Sequence, residues 1–421
     1  MIKHLLKQIW ALRGKNIWII TELFLAFIIL WYVVDYFSVL GINAITPTGT
    51  DITNVYRVVY ATNKSDNPKY ISYEEGSEEP GRNFFRMVEY LKTRPEVESV
   101  CIGEWFYPYC MSSSNYGFFR DSLKTGCLML KVKPEYFSMF NVYPKNGTDP
   151  DVLAKAIQRE KSIIISRKAE KDLFRDASAT GQLITKRGQD SLQFYVSGVT
   201  TEMKLHDYSR PQSYTFILFD ENSILNLKED QIRRETDICI KIKPGVSTRD
   251  FPARFKNEIK QSLAIGNYFL ADIVPMTELR ERYLNMQEIT TTLKYRIGVG
   301  IFFLVNVFLG ILGTFWLRIE KRKPEIGLRM SFGSTKAQVI SHLLTEGLCM
   351  LGIASIPALL VCLNLALMDI LSTENMDITA VRFMVNTLIT YALFIIVIMF
   401  STLYPAHRSA NIQPAEALQY E

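Results

Sequence analysis

The hydrophobic pattern of the chain switches between two regimes. Four stretches, at about 17–34, 297–317, 348–367 and 383–404, are almost unbroken apolar runs. Roughly 20 such residues carry a helix across a ~30 Å hydrocarbon core with every backbone group bonded inside its own segment. They predict four spans, at 17–38, 297–317, 343–368 and 383–404 once flanking residues are included. The region at 39–275, between the first and second spans, instead shows short alternations and helical spacings, and is long enough for one large domain or two small ones. The predicted fold class is α+β: a membrane protein of four transmembrane helices plus a two-lobed α/β domain between the first and second spans.

Two strand-helix-strand units bracket that domain. Residues 55–60 read as a strand, Phe84, Val88 and Leu91 recur at helical spacing, and 97–102 read as a strand again. Late in the domain, Ile238, Ile240 and Ile242 alternate, Pro244 and Gly245 turn, and Ser247 with Asp250 suggest a capping box for a helix carrying Phe251, Phe255, Ile259 and Leu263. A last strand is expected near 269–274. Two such units pair into the split ferredoxin-like sheet, with both helices on one face. This inner lobe takes 50–133 and 230–275. An insertion at 134–229, with strands near 162–165, 194–199 and 214–219 and a short helix at 169–174, is expected to form the outer lobe.

A stalk is expected at 276–296. Leu279, Tyr283, Met286, Thr290, Leu293 and Ile297 step by four and three, a seam suited to a neighbouring helix, and no Pro or Gly interrupts its run into the second span. An ordinary amphipathic helix lying on the domain is the plainer alternative.

Charge orients the spans. Lys3, Lys7, Arg13 and Lys15 precede the first without an acid, and Arg318, Lys321, Arg322, Lys323, Arg329 and Lys336 follow the second, whereas the short loop at 369–382 holds Asp369, Glu374 and Asp377 against Arg382. Basic residues accumulate on the cytoplasmic side. The expected topology is therefore a cytoplasmic N-terminal segment (1–16), a cytoplasmic loop (318–342) and a cytoplasmic tail (405–421), with the large domain periplasmic. Because Trp31, Tyr32, Asp35 and Tyr36 rather than small residues follow the first run, it reads as a retained anchor and not a cleaved signal. Glu22 and Asp35 are acids at the two ends of that anchor, more simply interfacial than functional. Pro357 is expected to kink the third span.

Composition narrows the functional classes. A net charge of +5 over 421 residues, with no basic stripe, argues against a nucleic-acid partner. The four histidines are scattered and no CxxC occurs, so no metal is implied. Cys101 and Cys110 could bridge in an oxidising compartment, although spacing alone does not fix a pairing. No HExxH, GxSxG or GxxxxGK[ST] motif is present, so no catalytic residue and no bound cofactor are expected. Trp105, Phe106, Tyr107 and Tyr109 could form a peptide surface but are more often packing residues.

The loop from Glu320 to Val339 is the most specific stretch. Pro324 suits the first turn of a helix, Glu325 its positive end, Gly333 a left-handed stop, and Ser334 the cap of the next helix. On its own this describes a basic helix lying on lipid phosphates, so membrane lipid is one expected partner. Glu320 followed by E-I-G-L-R-M-S-F-G-S (325–334), K-P-E-Y-F-S-M-F-N-V (133–142), I-I-I-S-R-K-A-E-K-D-L-F (163–174), I-K-I-K-P-G-V-S (240–247) and the terminal A-N-I-Q-P-A-E-A-L (410–418) together resemble the MacB/FtsX family of ABC-transporter permeases.

That resemblance implies a permease of the bacterial inner membrane that works as a homo- or heterodimer with a second permease and docks on a separate cytoplasmic ABC ATPase, which binds the ATP. It assigns the loop helix as the coupling element, with Glu320, Arg322, Glu325, Ile326, Arg329 and Gly333 as contact residues. It also implies mechanotransmission, in which ATPase closure moves the loop helix and the stalk passes the movement to the periplasmic domain. Efflux or export of a drug, peptide or lipoprotein, with a periplasmic adaptor and outer-membrane duct as further partners, fits that reading. The sixteen residues before the first span leave no expected room for a fused nucleotide domain. A sensor relaying an outside signal to a cytoplasmic kinase is the alternative; the short tail offers it no output domain.

Overall fold

The computed structural model describes residues 7, 9, 11, 13–187, 192–368 and 376–410. Residues 1–6 of the N-terminal segment, Asp369 and Glu374 of the short loop, and 411–421, with nearly all of the terminal A-N-I-Q-P-A-E-A-L motif, lie outside these. The chain forms two compact units, 1–45 with 291–421, and 46–290.

The first unit is built from α1 (Arg13–Ile45), α10 (Ile289–Lys321), α12 (Lys336–Leu367) and α13 (Ala380–Ala410), each long and apolar enough to span a membrane. Leu23, Phe27, Leu30 and Trp31 of α1 pack with Met350, Ala354 and Ala358 of α12 and Phe394 and Ile398 of α13. With no hydrophobic driving force between helices in lipid, small residues and polar links set the contacts. Ala354, Ala358, Cys362 and Ala366 give α12 a small-residue stripe, and Tyr391 donates to Ser355 at 2.6 Å. Asp35, read as interfacial, is instead buried: Arg382 donates to it from Nε and Nη2 at 2.8 and 2.6 Å, and Asn386 adds a third bond at 2.5 Å. Glu22 accepts from Thr314 at 2.7 Å and so links α1 to α10. Pro357 is accommodated inside the uninterrupted α12.

The second unit holds one continuous sheet. Strands β10 (Tyr268–Pro275), β1 (Val55–Thr62), β9 (Asp237–Ile242) and β2 (Val97–Glu104) lie in that order, all antiparallel. Helices α2 (Glu79–Lys92) and α8 (Phe251–Ile259) bury Phe84, Met87, Leu91, Phe251, Phe255 and Ile259 in a single core over one face, alongside Val58, Tyr60, Val100, Ile238 and Ile240. This is the split ferredoxin-like arrangement. Its order follows from the alternation: one register places every second residue of β1 and β9 under the helices, and a one-residue slip would expose them all. The opposite face carries Cys101, Cys239 and Val55 against α3 (Glu135–Met139), where Tyr136 and Phe137 are buried.

The sheet continues from β2 through β4 (Leu123–Val132), β3 (Ser114–Arg120), β6 (Leu183–Lys186), β7 (Leu192–Thr200), β5 (Ser162–Ser166) and β8 (Tyr214–Leu218). Strand β8 returns to pair in parallel with β4, Leu128 opposite Tyr214 through Val132 opposite Leu218, so these six strands close on themselves. The closed set is filled by Phe118, Met129, Ile163, Ile165, Ile184 and Val196, with Leu173 and Phe174 of α5 (Arg167–Phe174). The outer lobe therefore begins near Ser114 rather than at 134; β3 and β4, assigned by sequence to the inner lobe, form its wall. Their residues, S-N-Y-G-F-F-R and L-K-T-G-C-L-M-L-K-V, interleave charge and glycine too often to show a clean alternation.

Other expectations change locally. Asp250 caps α8 without a side-chain hydrogen bond, so the Ser247–Asp250 box does not form. Thr335, not Ser334, caps α12, accepting from the Gln338 amide while Gln338 returns the bond. Cys101 and Cys110 are free thiols; Cys101 faces Cys239 across β2 and β9. Phe106, Tyr107 and Tyr109 are buried packing residues.

Candidate functional site: the loop helix and its anchoring

The loop between α10 and α12 folds as α11 (Lys323–Ser331). Arg322 is its N-cap, Pro324 sits in the first turn, and the Gly333 φ of +93° lets the chain reverse into α12. One face of α11 is tied down. Ile326 is buried with Ile319 of α10 and Val339 and Leu343 of α12, so it anchors the helix instead of offering a contact surface. Gly333 likewise shapes the turn.

The charges form a chain. Arg322 donates from Nε and Nη2 to Glu325 at 2.8 and 3.1 Å, and Arg329 donates to the same carboxylate at 2.9 Å. From its remaining nitrogen Arg322 reaches Glu346 of α12 at 2.6 Å, where Arg318 of α10 also donates at 2.5 Å. Glu346 is only 5% exposed. Three helix segments thus meet on one buried carboxylate. Hydrogen bonds from Arg322 hold the Glu325 carboxyl below the usual carboxylate range, against a smaller upward push from burial. Of the charged residues expected here, the structure joins Arg322, Glu325 and Arg329. Sequence reading passed over Glu346; an acid inside an apolar run is the signal that could have flagged it.

The outward face of α11 is apolar. Leu328 is 49% exposed and Phe332, four residues on, is 84% exposed, so both lie on one side of the helix end. Neither was singled out from sequence, where they look like part of an amphipathic repeat.

The stalk is not one helix. α9 (Met276–Met286) ends at Gln287, and Glu288 takes a left-handed φ of +54° before α10 begins. A non-glycine residue there costs about 1 kcal/mol, so the break is held by its surroundings. α9 belongs to the folded domain. Arg280 grips Asp207 from Nε at 3.0 and 3.2 Å and from Nη2 at 2.9 Å, and Tyr109 donates to Asp207 at 3.2 Å. Burial pulls the Asp207 carboxyl upward, but the bonds from Arg280 and Tyr109 outweigh it and leave the group lowered. Tyr283 stacks edge-on against Tyr109 at 5.9 Å, and Leu279 packs on the domain core. Met286 is 68% exposed, and Leu293 and Ile297 fall beyond the break on α10. The predicted seam is therefore split, its first half used against the domain.

Residues 297–414, which take in most of α10, the loop helix and the last two spans, match the FtsX-like permease C-terminal family. The C-terminal part of the chain is thus similar to an FtsX-like permease. Among solved structures, this chain is similar to the periplasmic region of MacB from Actinobacillus actinomycetemcomitans, at 14% identity and TM-score 0.34 over 56% of this chain and 95% of that one. It is also similar to the extracellular domain of the noncanonic ABC-type transporter YknZ from Gram-positive bacteria, at 14% identity and TM-score 0.31 over 52% of this chain and all of that one. No curated protein matches this chain in sequence.

Proposed function

We propose that this permease sits in the bacterial inner membrane with both termini cytoplasmic, and converts ATP-driven movement of a cytoplasmic ATPase into movement of its periplasmic domain. The observation that carries this reading is the construction of α11: an outward apolar pair, Leu328 and Phe332, on a helix fastened to two spans through Ile326 and Glu346. An exposed aromatic beside a leucine is a costly surface in water and a usual interface anchor. A load applied to such a helix passes to α10 and α12 together, because Arg318, Arg322 and Glu346 leave no loose joint between them.

The docking surface on the permease is then Leu328 and Phe332 rimmed by Arg329, and Ile326 and Gly333 act by shaping it. Substrate remains on the periplasmic side in this scheme, consistent with export or efflux of a molecule already there, through an adaptor and outer duct. ATP hydrolysis belongs to the partner.

Co-expression of the permease with its ATPase tests the docking. Phe332→Asp is expected to lower the ATPase recovered with the permease at least about tenfold, on the scale of an anchor residue contributing over 1 kcal/mol. Undiminished recovery would remove α11 as the docking element.

A further inference from the structure

A serine or threonine inside an apolar helix has a ready hydrogen-bond acceptor, the carbonyl four residues back. In α13 two hydroxyls use it: Thr390 donates to the Asn386 carbonyl at 2.8 Å, and Ser401 to the Val397 carbonyl at 2.7 Å. Thr402 breaks the pattern. It is 0% exposed, and among the described residues its Oγ1 has no hydrogen-bond partner. Burying a hydroxyl without a partner is costly, because the bonds it made to water are not replaced.

Thr402 lines a cavity of about 10 Å³ whose other walls include Arg318 and Ile319 of α10 and Leu343 and Glu346 of α12. Three spans converge at this level. A Cβ on Gly347 would stand 2.9 Å from the Phe315 ring of α10 and 3.0 Å from the Ile398 side chain of α13, so glycine lets the helices close around the cavity. The space is about that of a single water-sized sphere. Its walls also carry bonding capacity. Each oxygen of Glu346 accepts one hydrogen bond, from Arg318 at 2.5 Å and from Arg322 at 2.6 Å, and a carboxylate oxygen has two lone pairs. Glu346, Arg318 and Thr402 together make the three polar neighbours that a buried water commonly has.

We propose that this cavity is a binding site for one structural water molecule, which bonds the Thr402 hydroxyl of α13 to Glu346 and Arg318. The water donates to a carboxylate oxygen of Glu346 and exchanges a hydrogen bond with the Thr402 hydroxyl. The charged cluster that joins α10, the loop helix and α12 then takes in the fourth span as well, through a contact that no direct side-chain bond makes. The site is independent of whether an ATPase docks on α11, since none of its groups belongs to the exposed face of that helix.

The sign of one substitution tests the proposal. Thr402→Val keeps the shape of the side chain and removes the hydroxyl. If the hydroxyl is bonded to water, the variant strands a water that has lost a partner, and the Tm of the full chain in nanodiscs is expected to fall by about 2 °C or more. If the hydroxyl is buried and unbonded, the same variant relieves its desolvation and the Tm rises. A second measurement stands apart from the variant's folding: a cryo-electron-microscopy map of the wild-type chain, at a resolution that shows ordered water, should hold a density peak within hydrogen-bond distance of Thr402 Oγ1 and the Glu346 carboxylate. An unchanged or raised Tm for Thr402→Val, a map with no such peak, or a Thr402 hydroxyl turned back onto the Ile398 carbonyl would each overturn the proposal.

Discussion

At the scale of single residues, Glu346 is the most consequential group in the loop region. It is buried and satisfied by two arginines, and a buried pair that loses one partner leaves an uncompensated charge worth roughly 3–5 kcal/mol. Glu346→Ala is therefore expected to lower stability by about 3 kcal/mol or more, visible as a lowered Tm in detergent, whereas Glu346→Gln should lose less, because its one carbonyl oxygen still accepts from one of the two guanidinia. Equal Tm for wild type and Glu346→Ala would mean that Arg318 and Arg322 find other partners. Glu325 gives a pH signature. Its carboxyl is held low by Arg322, so its contribution is present above the unfolded value near 4.5 and is lost as pH falls through the lowered value. Proteolysis at Arg322 and Arg329 should stay flat from pH 8 to 5; an onset near neutrality would assign the protection to another group.

At the scale of elements, regular periodicity was legible in the sequence and irregular joints were not. The alternating Ile238, Ile240 and Ile242 and the spacing of Phe84, Val88 and Leu91 announced their strand and helix, because one buried face forces a strict repeat. β4 was hidden, since a strand shared between two lobes has no single exposed face to mark with polar residues, and β3 because its charge and glycine break the alternation. The Glu288 break left no signal for the same kind of reason: nothing in Met286-Gln287-Glu288-Ile289 forbids a helix, and the stop comes from the grip of Asp207 on Arg280 and of Tyr109 on Tyr283. Glu288→Gly should raise stability by up to about 1 kcal/mol by relieving the left-handed backbone, and Glu288→Val should lower it. A stabilising effect of Glu288→Val, read by thermal unfolding, would show that the chain prefers a continuous helix.

At the scale of the whole molecule, the spans, their number and the domain between the first and second were readable from hydropathy, and the loop motif lies inside the region that matches an FtsX-like permease. The working contacts were not readable, because the charges that sequence picks out, Arg322, Glu325 and Arg329, bind one another, while the exposed pair Leu328 and Phe332 looks like ordinary core. The account's central claim is that ATP-driven force entering at α11 moves the domain on the far side of the membrane. Its most direct test is a spin-label distance between the domains of the two permeases in the ATPase complex, with one label on each. Exposed Val152, changed to Cys, provides the site on this chain. Addition of ATP with vanadate should shift the distance distribution by several ångströms in the otherwise wild-type complex, and the shift should vanish in Phe332→Asp. An unchanged distance in the wild-type complex while ATP is hydrolysed would contradict the account.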